Sequence, residues 1–230
     1  MIAAGNQLID LLPRRDKLHL LALCETVQLK ISEVIGEPGQ RVSHVYFPIN
    51  GFISQLAIAD EGPELEVGMV GREGMLGLHW ALGVATSPLR ALVQGSGASW
   101  RLPSAAFCQA VVVSAALRAV LMRYAHVSLA QGATSALCLR FHEIGPRLAR
   151  WLLMTEDRAG QAIFPVTQVF LASMLGVRRV GVTAAASALQ KQGLIAYRRG
   201  ILQVLDRPAL LAASCSCYAR DQRIYASVMA

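Results

Sequence analysis

Apolar positions change period several times along the chain, and each change predicts an element. Over residues 7–30 leucines recur at helical spacing and Pro13 suits a first helical turn, which predicts one or two short helices packed on the domain after them. From about Ile35 the period falls to two. Phe52, Ser54, Leu56 and Ile58 share one strand face, and Leu65, Val67 and Met69 lie on another strand. Gly36 to Gly39, Asn50-Gly51 and Asp60 to Pro63 supply turns, and a last strand region, about 90–102, completes an antiparallel roll or barrel. Ser104 is placed to cap a long helix from Ala105 to about His142, with few breakers apart from Gly132. On it Leu117, Val120, Leu121, Tyr124, Val127 and Gln131 fall on one side at spacings of three and four. A helix this long in a small protein needs a partner. Homodimerisation through this stripe is the preferred reading, and packing against its own roll is the alternative. Gly145-Pro146 then breaks the chain and starts a further helix, Arg147 to about Asp157.

The stretch from Phe164 to Asp206 carries the most specific pattern. Thr167 suits an N-cap, Val169, Ala172 and Leu175 come next at helical spacing, and Gly176 suits a C-cap. A second helix from Arg178 to about Gln192 buries Val182, Ala185 and Leu189 and is closed by Gly193. Its period points Arg179, Thr183, Ala186 and Gln190 outward, a set of groups able to read base edges. Alternating residues in Leu194 to Tyr197 and Ile201 to Val204 then form a hairpin with Arg198, Arg199 and Gly200 at its bend. Two helices with a tight turn and a basic hairpin make a winged helix-turn-helix. The expected DNA contacts are Thr167, Gln168, Arg178, Arg179, Val180, Thr183, Gln190, Arg198 and Arg199. A small helical subdomain with a solvated charged face is the blander alternative.

Charge distribution agrees with this reading. The net charge of the 230 residues is +7. Residues 1–139 hold ten Lys/Arg against ten Asp/Glu, and residues 140–207 hold ten against four. A neutral half joined to a basic half fits a sensing or scaffolding domain attached to a nucleic-acid reader. Hydrophobic residues make up 54% and charged residues 16%, a balance that raises the question of a membrane protein. The best apolar run, Met75 to Ala85, is short and holds His79, which predicts no membrane span. No export signal is visible at the start. Cys24, Cys108, Cys138, Cys215 and Cys217 are scattered and odd in number, which predicts a reducing, cytoplasmic setting. The Cys215-x-Cys217 pair could hold a metal or sense redox state, but two thiolates are too few for a closed zinc site and the histidines show no spacing that suggests a metal centre, so ordinary tail cysteines and no metal are expected.

Other motifs are weak. Glu64 and Glu66 share a strand face and could do acid-base work, but a solvent-facing strand edge explains them. Gly68, Gly71, Gly74 and Gly77 repeat every three residues without forming a dinucleotide or P-loop fingerprint, and suggest a backbone held close to a ligand or another element. No constellation for nucleophilic catalysis is present, so no enzyme is expected.

The order of roll, long helix and reader resembles the Crp/Fnr family of bacterial transcription regulators over nearly the whole chain. In the roll, GEPGQRVSHVYFPING is similar to that family's glycine turn, core triplet and second glycine. In the reader, LASMLGVRRVGVTAAASALQKQGLI is similar to its helix-turn-helix. The resemblance implies an α+β fold: a roll with N-terminal helices over residues 1–103, a dimerisation helix over 104–142, a winged helix-turn-helix over 143–214 and a tail over 215–230. It also implies double-stranded DNA and RNA polymerase as partners, and Arg179 as the arginine that contacts a guanine. Val180 and Ala184 stand where the family has a glutamate and an arginine. The implied effector pocket comprises Glu73, Gly74, Met75, Gly77, Thr86 and Ser87. Met75 stands at the ribose-binding glutamate unless Glu73 replaces it, and Thr86-Ser87 stand at the phosphate-binding Arg-Ser pair. Cyclic AMP is therefore not expected to bind in the family's manner, and no effector is identified. The N-terminal cysteines of the family's iron-sulfur sensors are absent. Two functions compete: a homodimeric, sequence-specific regulator, and a protein-interaction module with a nonspecific nucleic-acid anchor.

Overall fold

The computed structural model describes residues 4–60 and 62–230. Glu61, inside the turn expected at Asp60 to Pro63, and the first three residues read for an export signal lie outside them.

The chain enters through α1 (Gln7–Asp10) and α2 (Arg14–Ala22). The buried Asn6 caps α1 by accepting from the Leu8 and Ile9 N-H groups, and its amide donates to Pro48 O and Gly74 O at 2.9 Å each. One buried side chain thus pins the N-terminus to the strand end at Pro48 and to the loop at Gly74. The helical pattern ends earlier than expected, because residues 25–29 form a strand.

The roll consists of β1 (Glu25–Leu29), β2 (Val34–Gly36), β3 (His44–Pro48), β4 (Phe52–Ile58), β5 (Glu64–Val70), β6 (Arg90–Gly95) and β7 (Gly97–Pro103), with a 3-10 turn at Leu78–Leu82. One sheet has the order β1-β7-β3 and the other β2-β6-β4-β5, with every pairing antiparallel. Val45, Phe47, Met75 and Leu102 fill the core on the side of the next helices. Gly74 explains part of the glycine series: a Cβ there would sit 2.0 Å from the Tyr124 hydroxyl oxygen, so the loop lies directly under a helix.

That helix departs from expectation in two respects. The stretch 105–142 is two helices, α3 (Ser104–Val113) and α4 (Ala115–Phe141), meeting at 110°. The break is at Ser114, which accepts from the Leu117 N-H at 3.0 Å as the N-cap of α4 and donates to Asp16 at 2.5 Å. Ser104 caps nothing; it is the first residue of α3, and Pro103 precedes it. The expected dimer stripe also faces inward. Leu117, Val120, Leu121, Tyr124 and Val127 are buried against Phe47, Met75, Leu102 and Phe107 of the same chain, and Gln131 is half-buried beside Tyr225. Packing on its own roll claims this face because the roll would otherwise expose that core to water.

Beyond a two-residue joint, His142 and Glu143, come α5 (Ile144–Ala159), β8 (Ile163–Pro165), α6 (Gln168–Leu175), α7 (Arg179–Lys191), β9 (Ile195–Arg198), β10 (Ile201–Val204), α8 (Arg207–Ala213) and α9 (Cys217–Met229). Residues 215–230 are no loose tail: Ile224, Tyr225, Val228 and Met229 of α9 pack into the core beneath α4. The reader does not stand apart from the roll either, since Phe52, Leu56 and Met69 join one core with Leu152, Leu171 and Leu175. No single helix among the described residues is long and apolar enough to cross a membrane.

Candidate nucleic-acid interface

The two reader helices meet at 108°. Thr167 caps α6 by accepting from the Phe170 N-H at 3.1 Å, and Gly176 ends it with φ +61°, a conformation that favours glycine. The buried Arg147 of α5 donates to the last carbonyl of α6, at Leu175. Val182, Ala185 and Leu189 are buried as the period predicts, and so is Ala186, whose expected place is outside. A helix that packs against both α5 and α6 needs a stripe wider than three residues, and Ala186 widens it. The exposed face of α7 is carried by Arg179, Val180, Thr183, Ala184, Ser187 and Gln190.

The hairpin turns on Arg199 (φ +52°) and Gly200 (φ +78°), so both central residues of its two-residue loop are left-handed, as a twist-compatible hairpin turn requires. β10 also pairs with β8, a third strand that alternation in the sequence does not reveal. The Tyr197 hydroxyl donates to Val166 O at 2.8 Å and fixes the wing against the start of α6.

These elements bring Thr167, Gln168, Arg179, Tyr197 and Arg199 around one open concavity of ≈ 430 Å³. The Thr183 hydroxyl lies 2.7 Å from Gln168 Oε1 and 3.0 Å from Arg179 O, so the Gln168 amide is oriented by the recognition helix. Arg178, Arg198 and Gln190 lie outside the concavity. Arg178 precedes α7, Arg198 ends β9, and Gln190 is roughly 16 Å further along the helix axis than Arg179. Val180 is 73% exposed beside Arg179. None of the four arginines makes an ion pair among the described residues, whereas Arg90, Arg101, Arg150, Arg158 and Arg207 all do. The reader thus presents unneutralised guanidinium groups to solvent, the arrangement that polyanion binding needs.

The residues expected to line an effector pocket are not gathered. Met75 is a core residue, Gly74 lies under Tyr124, and Gly77 backs onto Val45. Glu73 turns outward to Arg158 of α5 at 2.8 Å. Thr86 forms an isolated bridge with Arg41, and the Ser87 hydroxyl accepts from the Leu89 N-H at 3.1 Å. Inside the roll the cavity beside Ser87 and His79 measures ≈ 20 Å³. Small-molecule sites run to roughly 300–1,000 Å³. A larger cavity, ≈ 520 Å³, opens instead between roll and reader, lined by Phe52, Leu92, Trp151, Thr155, Phe164 and Phe170 among others.

The two glutamates on one strand do separate jobs. Glu64 pairs with Arg90, while Glu66 accepts from Ser54 at 2.5 Å and from Trp151 Nε1 at 2.9 Å. Burial raises the Glu66 pKa from 4.5 to about 7, against the opposing effect of those hydrogen bonds and of Arg158 and Arg150.

Sequence reasoning missed one constellation. Cys138 in the last turn of α4 and His142, the first residue beyond it, are four residues apart and come together, and Cys215 and Cys217 lie against them.

Residues 146–213 match the Crp-like helix-turn-helix domain. No curated protein matches the chain in sequence. Solved structures share its fold. A Crp/Fnr-family regulator from Eubacterium rectale is 17% identical with a TM-score of 0.71, over 92% of this chain and 99% of that one. FixK2 from Bradyrhizobium japonicum is 16% identical with a TM-score of 0.70, over 84% and 98%. The c-di-GMP-responsive global regulator CLP from Xanthomonas campestris is 17% identical with a TM-score of 0.67, over 84% and 100%.

Proposed function

We propose, for this chain with the Crp/Fnr fold and a Crp-like helix-turn-helix domain, that it binds duplex DNA sequence-specifically as a homodimer and so regulates transcription. The observation that carries the proposal is the convergence of Thr167, Gln168, Arg179 and Arg199 on one solvent-open concavity, without carboxylates to neutralise the arginines. Arg179, at the first turn of α7, reads a guanine edge in the major groove, and Arg199 at the wing tip holds a flanking phosphate.

The dimer forms through the outer face of α4 rather than the inner one. Ala115, Ala119, Met122, His126, Leu129, Ala133, Ala136 and Arg140 are all exposed and succeed one another at alternating steps of four and three. That is the repeat of a two-helix seam, and its small residues allow close approach. Two recognition helices then enter successive major grooves about 34 Å apart, and the operator is a near-palindrome. RNA polymerase is the second macromolecular partner. The roll does not hold cyclic AMP in the family's manner, because Met75 is buried in the core where the ribose-binding glutamate would stand and Thr86 supplies no cation for the phosphate. An effector of ordinary size has room at the junction of roll and reader, where the cavity is ≈ 520 Å³, and in a more polar cavity of ≈ 340 Å³ beside Glu73, Arg158 and Tyr225.

Selection of bound sequences from a random duplex library at fixed salt tests the proposal. A near-palindrome with half-sites one helical turn apart supports it. Uniform retention of all duplexes, lost against random competitor, identifies a nonspecific anchor instead.

A further inference from the structure

The last turn of α4, the joint to α5 and the start of α9 meet at four side chains that the DNA-binding reading does not use. Cys138, Cys215 and Cys217 are buried, at 2%, 6% and 1% exposure, and His142 is half-buried beside them. The Sγ atoms of Cys138 and Cys215 are 3.5 Å apart, and Cys217 Sγ is 3.5 Å from His142 Nδ1. All four donor atoms lie within 4.8 Å of one another.

The two 3.5 Å separations are close to those around a single central ion, and the 4.8 Å bound leaves about 1 Å for the other pairs to close on binding. A tetrahedral zinc with bonds of about 2.3 Å to sulfur and 2.0–2.1 Å to nitrogen keeps its ligand atoms roughly 3.5–3.8 Å apart. A disulfide would bring two sulfurs to about 2.05 Å. A cubane iron-sulfur cluster spreads its four ligands around four irons, farther apart than these atoms are. Three sulfurs and one imidazole are also a donor set that selects zinc among common divalent ions.

The surroundings suit the charge. Three thiolates and a dication sum to one negative charge. Arg147 and Arg150 line a cavity with Cys138. Arg150 already pairs with Asp221 at 2.7 Å, whereas the buried Arg147 has no carboxylate partner among the described residues. A buried guanidinium without a counter-ion is costly, and an anionic metal centre beside it supplies one.

We propose that Cys138, His142, Cys215 and Cys217 bind zinc in a closed structural site that fastens α9 to the joint between α4 and α5. Four protein ligands leave no open position, so the ion is a clasp and not a reaction centre. The clasp sits where it matters mechanically, because His142 is one of the two residues linking the long helix to the reader.

The test uses the full chain purified anaerobically without chelator. Elemental analysis should find one zinc per chain. After removal of zinc, cobalt(II) should give the intense visible absorption of a tetrahedral thiolate complex, which zinc then abolishes. Cys217→Ser and His142→Ala should each weaken cobalt binding by more than the roughly 100-fold that loss of a supporting residue costs, while Cys24→Ser and Cys108→Ser should leave it unchanged. If a ligand variant fails to fold, the cobalt spectrum of the unaltered chain decides the matter. Zinc should also protect the segment around residues 214–217 from proteolysis. Absence of bound metal, a cobalt spectrum without thiolate bands, a Cys138–Cys215 disulfide in the mass spectrum, or iron with labile sulfide would each overturn the proposal.

Discussion

The sharpest prediction separates the two faces of α4. Leu129 is 76% exposed and occupies the centre of the outer four-three series, whereas Leu121 is 0% exposed and lies in the core beneath the helix. Burying a leucine is worth about 1.5–3 kcal/mol, and a two-fold seam buries Leu129 twice. Allowing for partial burial at a seam, Leu129→Asp should therefore weaken dimerisation by about 3–4 kcal/mol, or roughly 100- to 1,000-fold, before any repulsion between the introduced carboxylates. The fold should scarcely notice the change, because an exposed helical substitution costs no more than about 0.7 kcal/mol. Leu121→Ala should do the reverse, costing about 2–5 kcal/mol of folding stability while the folded chain still dimerises. Sedimentation equilibrium over a dilution series, paired with denaturant unfolding of each variant, measures both quantities. A Leu129→Asp chain that dimerises as tightly as the unaltered one would refute the outer seam, and weak dimerisation of folded Leu121→Ala would return it to the inner face.

Arg179→Ala should cost roughly 1–3 kcal/mol of operator binding and relax base preference at one position per half-site; equal weakening on all sequences would make Arg179 a phosphate contact. Arg199→Gln should flatten the salt dependence of binding by about 0.9 per lost phosphate contact while leaving the preferred sequence unchanged, which titrations at several salt concentrations read directly. Glu66 carries a pH signature: its proton is bound more tightly in the folded chain, so stability is full below 4.5 and falls by at most about 3 kcal/mol as pH rises to about 7. Glu66→Gln should remove that slope from a series of unfolding curves, and an unchanged slope would show that another group causes it. Calorimetry with cyclic AMP should give no binding heat, because Met75 and Thr86 stand where a ribose-binding carboxylate and a phosphate-binding cation are needed, and tight stoichiometric binding would overturn that reading.

The reader is the most legible part of the chain because its signals are local. Thr167, Gly176, Gly193 and the Arg199-Gly200 turn each impose a backbone conformation within a few residues, and each element begins or ends close to them. Alternation likewise locates β4 and β5 and marks 90–102 as strand, but that region is two strands that turn at Ser96, the short β2 and β3 are not separated by it, and at 25–29 the end of a leucine-rich pattern conceals β1. Which surface meets which is not legible. The long helix carries two apolar series, one of large residues at Leu117, Val120, Leu121, Tyr124 and Val127, the other of mostly small ones from Ala115 to Ala136. Helical period identifies both and ranks neither; size points to the larger side chains as the seam, yet a roll with an open core needs volume and a helix pair needs closeness. Serine at 114 is the readable sign of the break, since a cap signal inside a supposed continuous helix argues for a second start.

The cysteines show the same limit from the other direction. Cys215 and Cys217 alone are two ligands short of a closed site, and the missing pair begins 77 residues back, at the end of a helix whose partners the sequence does not disclose. The readable half is the four-residue step from Cys138 to His142, a spacing that brings a thiol and an imidazole to the same end of a helix. Only the return of α9 beneath α4 unites the pairs, and that return is itself driven by burial of Ile224, Tyr225, Val228 and Met229. Apolar packing thus brings the four ligands within reach. A bound ion would add a fixed angle at the joint, because His142 and Glu143 are all that separates the helix carrying the seam from the helix leading to the reader.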